Sequence, residues 1–330
     1  MTAPTLPSDL PRFRLFDEPS PLHRLPRLSA VLGDRADIWI KREDLLPLAF
    51  GGNKLRNLEF LVGAALAEGA DTLVTSGRRW SNHCRLAAAA GARAGLDVHL
   101  VLSGPPAPSG PGPGVRLMEL LGATVQKLPT ADRDAREAAI ARVVADLRAA
   151  GRRPYVLEVG GSGPVGAWGQ VLAASEIFEQ AGELGLVVDA IVVPSATGGT
   201  QAGLVVGAAL RSPRTRVTGV VVARSGDELR PPIDAMVTTL EIWTGTTVRQ
   251  DAIRLDETQL GAGYGRTTTA ADEAASLLAR TEGILVDPIY TAKALAGLIA
   301  AVRAGHHDGQ SVLFWHAGGT PGLFESLAGR

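Results

Sequence analysis

Short apolar runs alternate along the chain with longer stretches in which apolar residues recur every three or four positions. Ala36 to Lys41 (ADIWIK) alternates apolar and polar residues and predicts a half-buried strand. From Leu55 the spacing turns helical and stops near Gly69. The pattern then repeats. DTLVTSG, DVHLVLSG, ATVQKL and PYVLEV read as strands, separated by an alanine-rich helix after Ser81, a helix over Val115 to Leu121 and one over Asp132 to Ala149. In the second half, helices over Val165 to Ala181, from Thr200, over Ile233 to Trp243, over Ala270 to Thr281 and from Thr291 alternate with VVDAIVVP, TRVTGVVVA, ILVDP and SVLFWH. Such alternation predicts an α/β chain with mostly parallel sheets packed on helices.

Composition narrows the picture. A length of 330 residues allows two domains, and 45% apolar with 20% charged content reads as a globular protein with a sizeable core. A net charge of −1 without long like-charged runs argues against nucleic acid or an anionic membrane as partner. Ala190 to Leu210 is apolar but interrupted by Pro194, Gly198 and Gly199, which suits a strand, loop and helix better than a membrane span. The single cysteine, Cys84, excludes an intrachain disulfide and fits a reducing compartment. No apolar signal segment opens the chain, so the expected location is the cytoplasm. The proline-rich first residues are expected to run extended, and Gly104 to Gly114 to form one mobile loop. No His/Asp/Glu cluster has metal-ligand spacing, so no metal is expected.

The chemistry concentrates at one lysine. Only Lys41, Lys54, Lys127 and Lys293 occur, the rest of the positive charge being arginine. A desolvated lysine forms an imine with an aldehyde, which arginine cannot. Lys54 follows Gly51-Gly52-Asn53 at a helix start, although a surface lysine near a helix cap has the same local sequence. Three strand-to-helix turns accompany it. In the first, Ser81 is placed to cap a helix whose free N–H groups, at Asn82 and His83, suit a carboxylate. In the second, Ser195 to Thr200 (SATGGT) offers glycines, hydroxyls and a helix N-terminus suited to a phosphate. Each turn taken singly is also explained as a purely structural cap. The third, Gly160 to Gly166, contains G-x-G-x-x-G, but the acidic residue of a dinucleotide site should end the next strand and Asp189 begins it. A nicotinamide oxidoreductase is therefore a distant alternative. Of the three tyrosines, Tyr264 and Tyr290 lie on loops, where a phenol reaches a ligand, or equally packs with its hydroxyl satisfied. His83 and His316 flank the proposed turns. A lysine imine, a carboxylate cradle and a phosphate cradle in one cleft describe a pyridoxal phosphate enzyme acting on an amino acid.

The stretches KREDLLPLAFGGNKLRNLEFL, SNHCR, ATGGTQAGL, ARTEGILVDPIYTAKALAGLI and FWHAGGTPGLF carry a further signal. Through them the chain, from about Pro21 to Phe324, resembles the D-cysteine desulfhydrase / 1-aminocyclopropane-1-carboxylate deaminase family. The resemblance implies fold type II of the pyridoxal phosphate enzymes, like the tryptophan synthase β-subunit, with two three-layer α/β/α domains. The large cofactor domain would be residues 1–54 and 161–330, and the small inserted domain 55–160. Lys54 matches the lysine that binds the cofactor covalently. Asn82 matches the partner of the pyridoxal 3′-oxygen. Ser81, with Asn82 and His83, matches the substrate carboxylate site, beside Trp80. Thr197, Gly198, Gly199 and Thr200 match the phosphate cradle. Tyr264 and Tyr290 match two catalytic tyrosines, and Thr291 stands near the cofactor ring. A homodimer is also implied.

The implied reaction is β-elimination from a small amino acid to a keto acid and ammonia. The alternatives are ring-opening deamination of the cyclopropane acid, a lyase for an anionic analogue such as cysteate, or a non-catalytic pyridoxal phosphate-binding protein. The departures from the family bear on this choice. Arg78-Arg79-Trp80 replaces a small residue, Ile and Gln, and either arginine, if it points inward, would suit an extra anion on the substrate. Ala317 replaces a threonine after His316. Thr291 stands where the deaminases have glutamate, which favours elimination, whereas Thr200-Gln201-Ala202-Gly203 looks more like the deaminases.

Overall fold

Side chains that alternate along each central strand enter two separate cores, and this alternation organises the larger half of the molecule. The structure is a computed structural model that describes residues 10–104 and 112–327. Among these residues the chain runs β1 (Leu22–Arg24), α1 (Pro26–Val31), β2 (Asp37–Arg42), α2 (Lys54–Ala67), β3 (Thr72–Gly77), α3 (Asn82–Ala94), β4 (Asp97–Ser103), α4 (Pro113–Leu120), β5 (Thr124–Leu128), α5 (Arg133–Ala149) and β6 (Pro154–Val156). It continues through α6 (Pro164–Glu183), β7 (Ala190–Ser195), α7 (Gly199–Arg211), β8 (Arg216–Val221), α8 (Gly226–Thr244), β9 (Ile253–Asp256), α9 (Thr269–Glu282), α10 (Thr291–Arg303), β10 (Ser311–His316) and α11 (Thr320–Leu327).

Six strands form one sheet in the order β1-β2-β10-β7-β8-β9, parallel except for β1. Ile191, Val193, Leu313 and Trp315 face a core shared with α6, α7 and α8. Their neighbours Ala190, Val192, Val312 and Phe314 face a second core with α1, α9 and α10. The two-residue period of a strand thus puts helices on both faces. The second sheet, β5-β4-β3-β6, is wholly parallel. Its core holds α2, α3 and α4 on one face, and α5 covers the other. The segment from Leu15 and the helix α11 also pack on this smaller sheet's helices. Among the described residues no helix is long and apolar enough to cross a membrane.

The observed bounds depart from the sequence expectations in a few places. The ILVDP run adds no strand to either sheet. Its Leu285 carbonyl is taken by His316 Nε2 (2.8 Å), and the Asp287 carboxylate caps α10 by accepting from the N–H groups of Ile289, Tyr290 and Thr291. Helix α8 begins seven residues before Ile233, at Gly226. The Ser225/Glu228 capping box starts the helix ahead of Pro231 and Pro232, which lie inside it. Strand β6 is shorter than PYVLEV. Strands β1 and β9 and helices α1 and α11 are too short to stand out from the pattern. The expected extended start lies partly, and the Gly104 to Gly114 loop mostly, outside the described residues.

Candidate active site

Six strand ends of the two sheets converge on one cavity of about 270 Å³. Its wall takes residues at or just beyond the carboxyl ends of β3, β4, β6, β7, β8 and β10, the ends at which open parallel sheets bind ligands. Lys54 opens α2 and lines this wall. The turn before it is built for close approach: a Cβ on Gly51 would fall 2.4 Å from the Asp44 carbonyl oxygen. Asn53 N–H donates to Ala317 O (3.0 Å), which ties the turn to the end of β10. Lys54 Nζ has one polar neighbour, Thr200 Oγ1 at 3.5 Å, and no carboxylate partner among the described residues. Although the side chain is partly exposed, the protein around the amine desolvates it and lowers its pKa to about 8.

The other lysines are committed elsewhere. Lys41 is fully buried and donates to Glu176 (2.5 Å), Ser20 O and Gln180. Lys293 donates to the carbonyls of Leu260 (2.8 Å) and Gly263 (3.3 Å), and Lys127 is exposed on β5.

Facing Lys54, the turn from Ser195 to Gly198 delivers the N-terminus of α7. Gly198 has φ +88°, a conformation that glycine adopts without the penalty of a Cβ, and no side chain caps the helix it starts. The first N–H groups of α7 are left for a ligand. Ser195 Oγ is buried without a partner. Asn53 Nδ2 donates to Thr200 Oγ1 (2.8 Å), linking this turn to the lysine turn, and Thr197 Oγ1 pairs with Ser162 Oγ.

The β3–α3 turn forms the third side. Ser81 caps α3 by accepting from Cys84 N–H (3.2 Å). Asn82 and His83 follow it on the cavity wall. Burial holds the His83 pKa down at about 3, helped by the charge of Lys54, so the ring is neutral. One ring nitrogen meets Thr75 Oγ1 (3.0 Å), and the other, Nδ1, has no partner. Tyr264 and Tyr290 close the opposite side with their hydroxyls hydrogen-bonded to each other. Burial raises both phenol pKa values, so both are neutral near pH 7.

A family model described as pyridoxal-phosphate dependent enzyme matches residues 14–318. The chain belongs to the pyridoxal-phosphate-dependent enzyme family. It is 42% identical over 318 residues to D-cysteine desulfhydrase of Salmonella typhi, covering 95% of each chain. Among solved structures, an ACC deaminase homologue superposes with a TM-score of 0.90 at 33% identity, over 98% of this chain and 96% of that one. A threonine deaminase from T.th. superposes with a TM-score of 0.66 at 22% identity, over 91% and 92%, and shows the shared fold. The fold is that of the type II pyridoxal phosphate enzymes, and the cofactor is pyridoxal phosphate.

The cavity fits that cofactor. It combines an amine of lowered pKa, suited to an aldehyde, with a glycine-bearing helix start and an orphaned hydroxyl, suited to a phosphate. Of the residues expected from sequence, Lys54, Ser81, Asn82, His83, Thr197, Gly198, Thr200, Tyr264 and Tyr290 line this one wall. Three do not. Gly199 packs against Ser162, where a Cβ would come within 2.8 Å of Oγ. Trp80 stands behind Tyr264 in an edge contact (5.9 Å). Thr291 is fully buried, with Oγ1 2.6 Å from Asp287 Oδ1. Arg78 lines the cavity, whereas Arg79 pairs with Glu325 of α11 (3.3 Å). Sequence reasoning did not single out Asn53, Ser103, Arg136 or Arg224, which also line the wall. Asn53 adjoins the lysine in the motif, but α5 and the β8–α8 turn carry no motif that would have pointed to the two arginines.

Proposed function

We propose that this enzyme is a D-cysteine desulfhydrase-like lyase, which eliminates the β-substituent of a small amino acid and yields a keto acid and ammonia. The observation that carries the reading is Lys54, an amine of lowered pKa with no carboxylate partner among the described residues, set between two strand-to-helix turns that each suit an anion. Bound there, pyridoxal phosphate supplies an electrophilic aldehyde and an electron sink for the substrate's α-carbon. Lys54 would hold the cofactor, and its Nζ would take the substrate's α-proton. The α7 start, with Ser195, Thr197, Gly198 and Thr200, holds the phosphate, and Gly199 keeps that turn tight. Asn82 is assigned the ring oxygen. Ser81, Asn82 and His83 orient the substrate carboxylate, while Trp80 supports Tyr264 from behind. A neutral Tyr264–Tyr290 pair has a proton to give to a departing thiolate. Holding the substrate carboxylate and the cofactor phosphate at these two turns would fix the substrate's orientation toward Lys54, which makes orientation a large part of the rate.

Thr291 is assigned an indirect role at the ring, through the Asp287 carboxylate that engages its hydroxyl. With no glutamate after Tyr290, elimination of a good leaving group is favoured over opening a cyclopropane. The residues fall, in this reading, into a large domain (1–54 and 161–330) and a small domain (55–160), in a homodimer of the cytoplasm.

The purified enzyme, given D-cysteine and 1-aminocyclopropane-1-carboxylate in parallel, is expected to release pyruvate and sulfide faster than 2-oxobutyrate. The reverse order would replace the desulfhydrase reading by the deaminase one.

A further inference from the structure

The cavity wall carries Arg78, Arg136 and Arg224 in addition to Lys54, and no aspartate or glutamate among the described residues. The three come from separate places: the β3–α3 turn, the start of α5 and the β8–α8 turn. Among the described residues none of them is ion-paired. Glu137, next to Arg136 in sequence, pairs with Arg133 instead (2.7 Å). Arg78 is firmly seated. Its Nη1 donates to Ser103 O (3.1 Å), its Cζ lies 6.0 Å from the centre of the Tyr264 ring, and Gly104 leaves it room, since a Cβ there would sit 2.5 Å from Nη1. Arg136 Nε is buried without a partner. Burial lowers the Arg136 pKa, and the charges of Arg78, Arg133 and Arg224 lower it further, against an opposing pull from Glu137.

Clustered cations without an ion pair, on a wall that carries no acid, are unfavourable until an anion arrives, and a cavity of one sign concentrates such ligands. Two anions are already assigned, the cofactor phosphate to the α7 start and the substrate carboxylate to the Ser81 turn. The arginines therefore provide for a third. Because Arg78 lies against Tyr264, that anion belongs to the end of the substrate where the leaving group departs.

We propose that Arg78 and Arg136, with Arg224, form a subsite for a tetrahedral oxyanion on the substrate's β-carbon, so that the enzyme's substrate class includes β-sulfonate and β-phosphate-ester amino acids. The inference rests on the lyase reading of the same site. In the reaction, the α-proton leaves to Lys54 and a Cα–Cβ double bond forms. The Cβ–S or Cβ–O bond breaks, and its electron pair departs with sulfite or phosphate. Water then converts the released enamine to pyruvate and ammonium, with no external oxidant or reductant. A guanidinium fork suits such oxyanions.

The test separates binding from turnover. Calorimetry on the holoenzyme compares 3-sulfopropanoate with butanoate, neither of which has an amino group to react. The expected result is at least tenfold tighter binding of the sulfonate, and loss of that preference in Arg78→Gln and in Arg136→Gln with the cofactor absorbance retained. Pyruvate release from both enantiomers of cysteate and of O-phosphoserine then identifies which oxyanion is the substrate. Equal binding of the two probes would overturn the subsite, even if D-cysteine were turned over. Loss of the cofactor absorbance in both variants would overturn it too, by assigning the arginines to the cofactor phosphate. If no amino acid yields a keto acid, the lyase reading fails while the calorimetric comparison still decides the subsite.

Discussion

Lys54 differs from the other three lysines in what surrounds its ammonium. Lys41 and Lys293 satisfy theirs with carbonyls or a carboxylate, and Lys127 keeps its own in water. Lys54 gets desolvation without a counter-charge, which favours the neutral, nucleophilic amine. Its pKa is lowered to about 8, so the amine is mostly protonated below that pH and mostly free above it. Cofactor-free protein is therefore expected to take up pyridoxal phosphate faster as pH rises through about 8 and to level off above it, as followed by the visible absorbance. A rate independent of pH between 7 and 9 would mean that another step limits loading. The lysine itself was legible in the sequence, because the glycine pair before it and the scarcity of lysine set it apart. The low pKa was not, because it arises from residues far along the chain that close over the amine.

Two devices hold the elements that present these residues. At the base of α2, Arg56 makes a bidentate pair with Glu43 (2.6 and 2.8 Å) and also donates to Glu176, which in turn accepts from Lys41. This network ties α2 to β2 and α6 two residues beyond Lys54. Burial pushes the Glu176 pKa up, but Arg56 and Lys41 outweigh burial and hold it at about 2, below the ordinary 4.5. The unfolded chain then binds a proton first, so the stabilisation is fully present above about pH 4.5 and is lost as pH falls toward about 2. Denaturant titrations are expected to show stability falling across that window, with a shallower fall in Glu176→Gln.

The second device is Lys293, whose bonds to Leu260 and Gly263 anchor the loop that carries Tyr264. Lys293→Met is expected to lower kcat about tenfold, the equivalent of ~1.4 kcal/mol in the barrier, while the cofactor absorbance stays. An unchanged kcat would show that the loop needs no such anchor. Of these elements, most strands and helices were legible from their periodicity, and Ser81 as a cap from its place after DTLVTSG. The anchoring network was not, because Glu43, Arg56 and Glu176 lie up to 133 residues apart in sequence.

The molecule as a whole gathers its chemistry at the carboxyl ends of two parallel sheets, one of six strands and one of four. The parallel architecture was legible because strands and helices alternate and their apolar faces have different periods. How the sheets face each other was not, and the arginine cluster depends on that facing. Arg78 and Arg136 come from the four-stranded side and Arg224 from the six-stranded side, so neither half alone assembles the charge.

In the proposed function, Lys54 is the residue that binds the cofactor. Borohydride reduction of the yellow holoenzyme, followed by proteolysis and mass mapping, tests it most directly. The expected result is a single pyridoxyl phosphate adduct on the peptide containing Lys54, and none on those of Lys41, Lys127 or Lys293. An adduct fixed on one of those lysines, with Lys54 unmodified, would contradict it.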